Sequence, residues 1–156
     1  MSEIADFLRA RYAERRAIAE AARDGGEGRW HQDDPERYPG RIEDERGHPV
    51  VYDEGSPSEE QAAHIVANDP EDVIADLDAK LALVDDLLAE RHEVVDDCWY
   101  TCAAATEAHD GGETCNDGRL GGPCDCGRDA RVNRRLAILA RPFAGHPDHK
   151  GEEWAP

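Results

Sequence analysis

Between Asp69 and Cys102, apolar residues recur at alternating intervals of three and four: Ile74, Leu77, Leu81, Val84, Leu88, Val95, Cys98 and Cys102, with Arg91 at the one charged position. A 3.5-residue repeat of this kind lines one face of a helix, whereas a strand would scatter it over both faces. Asp69-Pro70 supplies the start, because an Asp side chain accepts a first-turn N–H and proline costs nothing there. No Gly or Pro follows until Gly111. The seam therefore predicts one long central helix that ends in two cysteines a turn apart on the same face.

The rest of the chain has little apolar material to pack around this spine. Of 156 residues, 39% are hydrophobic, 6% aromatic and 35% charged, which suits one domain with a thin core. A net charge of −18 argues against direct nucleic-acid binding, since phosphate contacts need clustered Lys and Arg. Half of that excess lies in residues 69–97, with eleven acids and two bases. The segment from about Asp129 to Arg141 is the opposite: Arg128, Arg131, Arg134, Arg135 and Arg141 surround Asp129, and Val132, Leu136, Leu139 and Ala140 form an apolar face. It reads as a basic helix that returns antiparallel on the acidic spine, each exposed ion pair contributing about 0–1 kcal/mol.

Residues 3–22 read as a first helix with Ile4, Leu8, Ile18 and Ala22 on its face and Phe7 and Tyr12 at the edge, stopped by Asp24-Gly25-Gly26. Residues 27–57 form a β insert. Ile42 and Val50-Val51-Tyr52 flank the loop Asp44–His48 of a small hairpin, with Trp30 on a third strand. Ser58 and Gln61 have capping-box spacing and open a short helix with Ala62, Ala63, Ile65 and Val66 on its apolar face. The expected architecture is a single, mainly α domain over 1–156. It comprises an N-terminal helix (1–24), the β insert (27–57), a helical pair with the long spine (58–110), a Cys- and Gly-rich loop (111–127), and a C-terminal helix and tail (128–156) pinned by its aromatics. No signal-peptide pattern and no apolar run of membrane-spanning length is present, which predicts a cytoplasmic protein with reduced thiols and no membrane contact.

All five cysteines and one histidine fall in the pattern Cys98-x3-Cys102-x6-His109-x5-Cys115-x8-Cys124-x-Cys126. Thiolate and imidazole donors suit tetrahedral zinc, and four protein ligands make a closed structural site. Cys102, Cys115, Cys124 and Cys126 are the favoured set. One Zn2+ on them would staple the end of the spine, the loop and the return helix, contributing about 10–16 kcal/mol of apparent folding free energy. Cys98 packs in the seam as a small hydrophobe and His109 is the reserve ligand, with Cys98 behind it. Reduced thiols without metal, or an iron–sulfur cluster or redox pair, are the competing readings.

Several short motifs also resemble an uncharacterised family, a domain of unknown function, of actinobacteria and their phages. They are Phe7-Leu-Arg-Ala-Arg11, Gly55-Ser-Pro-Ser-Glu-Glu-Gln-Ala-Ala-His-Ile65, Asn68-Asp-Pro70 leading to Ala79-Lys80, Pro123-Cys-Asp-Cys-Gly-Arg128, and the closing Pro142-Phe-Ala-Gly-His-Pro-Asp148 with Glu153-Trp154. The resemblance implies a bacterial or phage protein and brings no activity with it.

The functional expectation is a small zinc-stabilised protein that binds a protein partner through its acidic face or its aromatic hairpin. An acidic nucleic-acid mimic that inhibits a DNA-binding protein is the alternative, and a metal-dependent enzyme a further one. No H-E-x-x-H, P-loop, G-x-S-x-G or dinucleotide fingerprint is present to support an enzyme. The 74–102 seam would also serve a homodimer, where Arg91 would need an acidic partner.

Overall fold

The computed structural model describes residues 2–23, 25–34, 36–38, 40–52, 57–92, 102 and 126–156. They fall into two compact units, Arg9–Ala82, and Met1–Leu8 together with Leu83–Pro156. The described elements are four α-helices, α1 (Glu3–Ala22), α2 (Glu59–Val66), α3 (Pro70–Ala89) and α4 (Arg128–Ala140), and three short strands, β1 (Trp30–Gln32), β2 (Ile42–Asp44) and β3 (Pro49–Val51). No described helix is long and apolar enough to cross a membrane.

In the unit Arg9–Ala82, the strands form one antiparallel sheet in the order β1-β2-β3. Trp30 pairs with Asp44 and Gln32 with Ile42 on one side, and Ile42 pairs with Val51 on the other. The hairpin and the third strand at Trp30 thus form as the sequence predicts. Ile42 and Asp44 share a face because they are two apart, and both are buried. A buried carboxylate must find donors. Asp44 finds them in its own turn: Oδ1 accepts the N–H groups of Arg46 (2.9 Å) and His48 (2.8 Å), and Oδ2 accepts the Arg46 guanidinium (2.9 Å). Burial pushes the Asp44 carboxyl up, but the His48 N–H, the Arg46 side chain and the Arg46 N–H together outweigh it and hold the group below the usual carboxylate range.

The start of α3 is laced to the first strand. Asp69, 4% exposed, accepts the N–H of Asp72 on Oδ1 (2.8 Å) and that of Trp30 on Oδ2 (3.2 Å). One carboxylate therefore caps the helix and holds the end of β1. The carbonyl of Gly28 accepts the N–H of Glu71 (3.3 Å), and Arg29 pairs with Glu71 at 2.7 Å. Gly28 has φ +94°, and a Cβ there would stand 2.7 Å from Cγ of Arg23 and 3.1 Å from Cβ of Pro70, so both conformation and space demand glycine. α2 precedes this corner with the expected capping box. Ser58 Oγ accepts the Gln61 N–H, and the Gln61 side chain accepts the Ser58 N–H at 2.8 Å.

In the unit Met1–Leu8 with Leu83–Pro156, the C-terminal tail closes around the first turns of α1. The Phe7 ring meets Phe143 edge-on at 6.1 Å, His146 at 5.7 Å, His149 at 5.8 Å and Trp154 at 5.1 Å between centroids. Lys150 joins them through ion pairs with Glu3 and Glu153. Within α1 itself the buried face differs from the expected one. Ile4 and Leu8 are buried, but farther along the buried positions are Tyr12 and Ala19, and Ile18 is 71% exposed. The buried stripe turns around the helix along its length, leaving Ile18 outside it.

The spine also departs from its expected length. The seam residues Leu77 and Val84 are buried within the single chain, but α3 ends at Ala89 and Glu90–His92 are not helical. Arg91, read as the charged seam position of a continuing helix, lies outside the helix and is exposed. The remaining seam positions Val95 and Cys98 lie outside the described residues.

Two outcomes test this architecture. Asp69→Ala removes a helix cap and a strand anchor, and should cost about 2 kcal/mol in urea unfolding, with Asp69→Asn milder. For Asp44, the folded carboxyl titrates below the unfolded one. Its stabilisation is therefore complete above the ordinary value of about 3.9 and is lost as pH falls through the depressed folded value. Acid titration followed by amide NMR should show the hairpin loosening only below about pH 4. Asp44→Asn should flatten that response.

Candidate metal centre

The end of α3 is set by α4. The Arg128 guanidinium donates from Nη2 to the Leu88 carbonyl (2.7 Å) and from Nε to the Glu90 carbonyl (2.7 Å). A continuing helix would have given the Leu88 oxygen to the N–H of His92, four residues on. With that acceptor taken up by a charged side chain, the backbone turns out of the helix and Glu90–His92 leave it. Glu90 is gripped in turn, accepting Arg131 at 2.8 Å and Arg135 at 3.1 Å. The Arg131 hydrogen bond, reinforced by the charges of Arg131, Arg135 and Arg128, outweighs desolvation and holds the Glu90 carboxyl below its ordinary value. The basic residues of the C-terminal helix therefore meet a carboxylate just past the spine. The acids Glu71, Asp76 and Asp78 of α3 itself pair instead with Arg29, Lys80 and Arg16.

The turn brings His92 to two cysteines. Its Nδ1 lies 3.6 Å from Sγ of Cys102 and 3.7 Å from Sγ of Cys126. The three potential ligand atoms all lie within 4.8 Å of one another. A tetrahedral zinc ion with ordinary bond lengths separates its nitrogen and sulfur ligands by about 3.6 Å. Cys102 is buried at 1% exposure and Cys126 is half-buried. On the far side of the ring, His92 Nε2 lies 3.7 Å from Oδ1 of Asp129, whose other contact is Arg128 at 2.8 Å. The Asp129 carboxylate thus faces Nε2 beyond hydrogen-bond distance, while Nδ1 faces the two sulfurs. Cys126 is placed by Gly127, which takes a left-handed φ of +76° at the N-cap of α4, and by Arg131, which donates to the Cys126 carbonyl at 3.0 Å.

Among the favoured ligands, the structure brings Cys102 and Cys126 together. Cys115 and Cys124, and the reserves Cys98 and His109, lie outside the described residues. His92 was missed by the sequence reading. It stands ten residues before Cys102, and on an unbroken helix that separation is about 15 Å, too far for one ion.

The family model of DUF6221, a family of unknown function, matches residues 1–156. The chain belongs to DUF6221. The resemblance to an uncharacterised family is thereby established over the full sequence given. No curated protein and no solved structure matches the chain.

Arg128→Ala should expose how far the site depends on the helix end. Two charge-assisted hydrogen bonds are lost, and urea unfolding should register about 1.5–3 kcal/mol of destabilisation. Arg128→Lys, which cannot reach both carbonyls as a planar fork, should recover less than half of it.

Proposed function

We propose that this protein is a zinc-stapled interaction protein, with Zn2+ held by Nδ1 of His92 and the sulfurs of Cys102 and Cys126. Cys115 or Cys124 supplies the fourth ligand, and Cys98 and His109 stand in reserve. The observation that carries this reading is the convergence of one imidazole nitrogen and two sulfurs within 4.8 Å of one another, with both nitrogen–sulfur separations close to those around tetrahedral zinc. With a fourth ligand from Cys115 or Cys124 the site would be closed, which is the arrangement of structural zinc. The staple ties the segment after α3 to the start of α4, in a chain whose composition supplies only a thin core. The function that remains is to present a surface to a protein partner, and the exposed Val50 and Tyr52 of the hairpin offer apolar contacts for it.

Metal analysis of the purified protein should give about one zinc per chain, and a strong chelator should lower its melting temperature. A metal-free protein that melts unchanged would sink the reading. His92→Ala and Cys126→Ser should each lose the metal, whereas Cys98→Ser should keep it. Asp129→Asn should weaken zinc affinity by about 10- to 100-fold while leaving one site per chain.

A further inference from the structure

The two sulfurs of the centre are unlike in their access to solvent. Cys102 is 1% exposed, whereas Cys126 is half-buried. Resting on the zinc reading above, we propose that this centre is a peroxide-responsive release site, in which Cys126 is oxidised first and Cys102 then closes a Cys102–Cys126 disulfide that expels the metal.

Geometry supplies both halves of the sequence. A peroxide must reach sulfur from solvent, which Cys126 allows and Cys102 does not. The resolving sulfur must instead be held close and protected until the first step is over. Cys102 meets that need: both sulfurs lie within 4.8 Å of each other and of Nδ1 of His92. Closing to a disulfide S–S length of about 2.05 Å requires a movement of less than about 3 Å. Once both sulfurs are lost to the disulfide, His92 and the fourth ligand of the reading above leave only two of four donors, too few for a stable tetrahedral site.

The chemistry balances with hydrogen peroxide as the oxidant. The Cys126 thiolate attacks one peroxide oxygen, the O–O bond breaks and hydroxide leaves, giving a sulfenic acid. The Cys102 thiolate attacks that sulfur, the S–O bond breaks, and a second hydroxide leaves as the S–S bond forms. The two sulfurs together lose two electrons and the peroxide gains them. Two solvent protons convert the hydroxides to water, and zinc departs as Zn2+ with its oxidation state unchanged.

The experiment treats the zinc-loaded full-length protein with hydrogen peroxide and follows released zinc with a chromogenic chelator. The products are mapped by fragmenting the disulfide-linked peptides. The expected result is one Cys102–Cys126 disulfide for each zinc released, with thiol reductant and added zinc restoring the loaded form. In a parallel reaction with dimedone, the adduct should fall on Cys126 ahead of Cys102 in the loaded wild-type protein, and should accumulate on Cys126 in Cys102→Ser, which lacks the resolving sulfur. A loaded protein that keeps its zinc under peroxide overturns the proposal and leaves the zinc reading standing. So does a disulfide joining Cys126 to Cys98, Cys115 or Cys124, or a first adduct on Cys102. A chain that binds no zinc before any oxidant is added overturns the zinc reading and the release step together.

Discussion

The Arg128 guanidinium takes two carbonyl oxygens at the end of α3, and the character of its unit follows from that contact. Helix propensity favours continuation through this stretch, since no Gly or Pro stands between Pro70 and Gly111. A planar, always-charged fork aimed at the last carbonyls competes well with an intrahelical N–H, because hydrogen bonds to charged groups contribute about 1.5–3 kcal/mol against about 1 kcal/mol for neutral ones. Where the helix stops decides where His92 points, and so whether an imidazole nitrogen stands beside the two cysteines. The same side chain contacts Asp129, which faces the other nitrogen of that histidine. One residue thus links the end of a helix to the placement of an imidazole.

Asp69 plays the corresponding part at the other end of α3. Its two carboxylate oxygens are divided between a helix and a strand, so neither element forms its terminus alone. The buried acids among the described residues follow one pattern. Asp44 and Asp69 are both satisfied by backbone N–H groups, and each turns the cost of burying a charge into a geometric constraint. Such constraints do structural work that a small core cannot, and they suit a chain with so few large apolar side chains.

The parts of the fold governed by local chemistry were legible in the sequence. Asp69-Pro70, the Ser58–Gln61 capping box and the Asp44–His48 turn each carry their own partners within a few residues, so their patterns translate directly into geometry. Trp30 on the third strand was legible for a related reason, since an isolated aromatic among polar residues needs a sheet to lie on. What could not be read was any outcome decided by a side chain far along the chain. Arg128 lies about forty residues from the carbonyls it takes, and no periodicity in α3 announces its arrival. The helix end, and with it the role of His92, depended on that distant contact. That Cys102 and Cys126 come together was legible because cysteine is rare enough for clustering in the sequence to suggest clustering in space. The drift of the buried face along α1, which leaves Ile18 in solvent, was hidden because a hydropathy pattern records residue type and not which neighbour arrives.

The aromatic ring of Phe7 has a consequence for how the chain comes into being. Among the described contacts, Phe143, His146, His149 and Trp154 meet its ring, all of them well over a hundred residues later in the sequence. During synthesis, the Phe7 ring therefore gains these partners only after some 150 residues have followed it. Arg9–Ala82 is contiguous and can close on the ribosome as it emerges. The unit that joins residues 1–8 to the segment after 83 can only be completed after translation has passed Trp154. Biogenesis of this protein is thus ordered in time, with one half assembled early and the other sealed by its last aromatic residue.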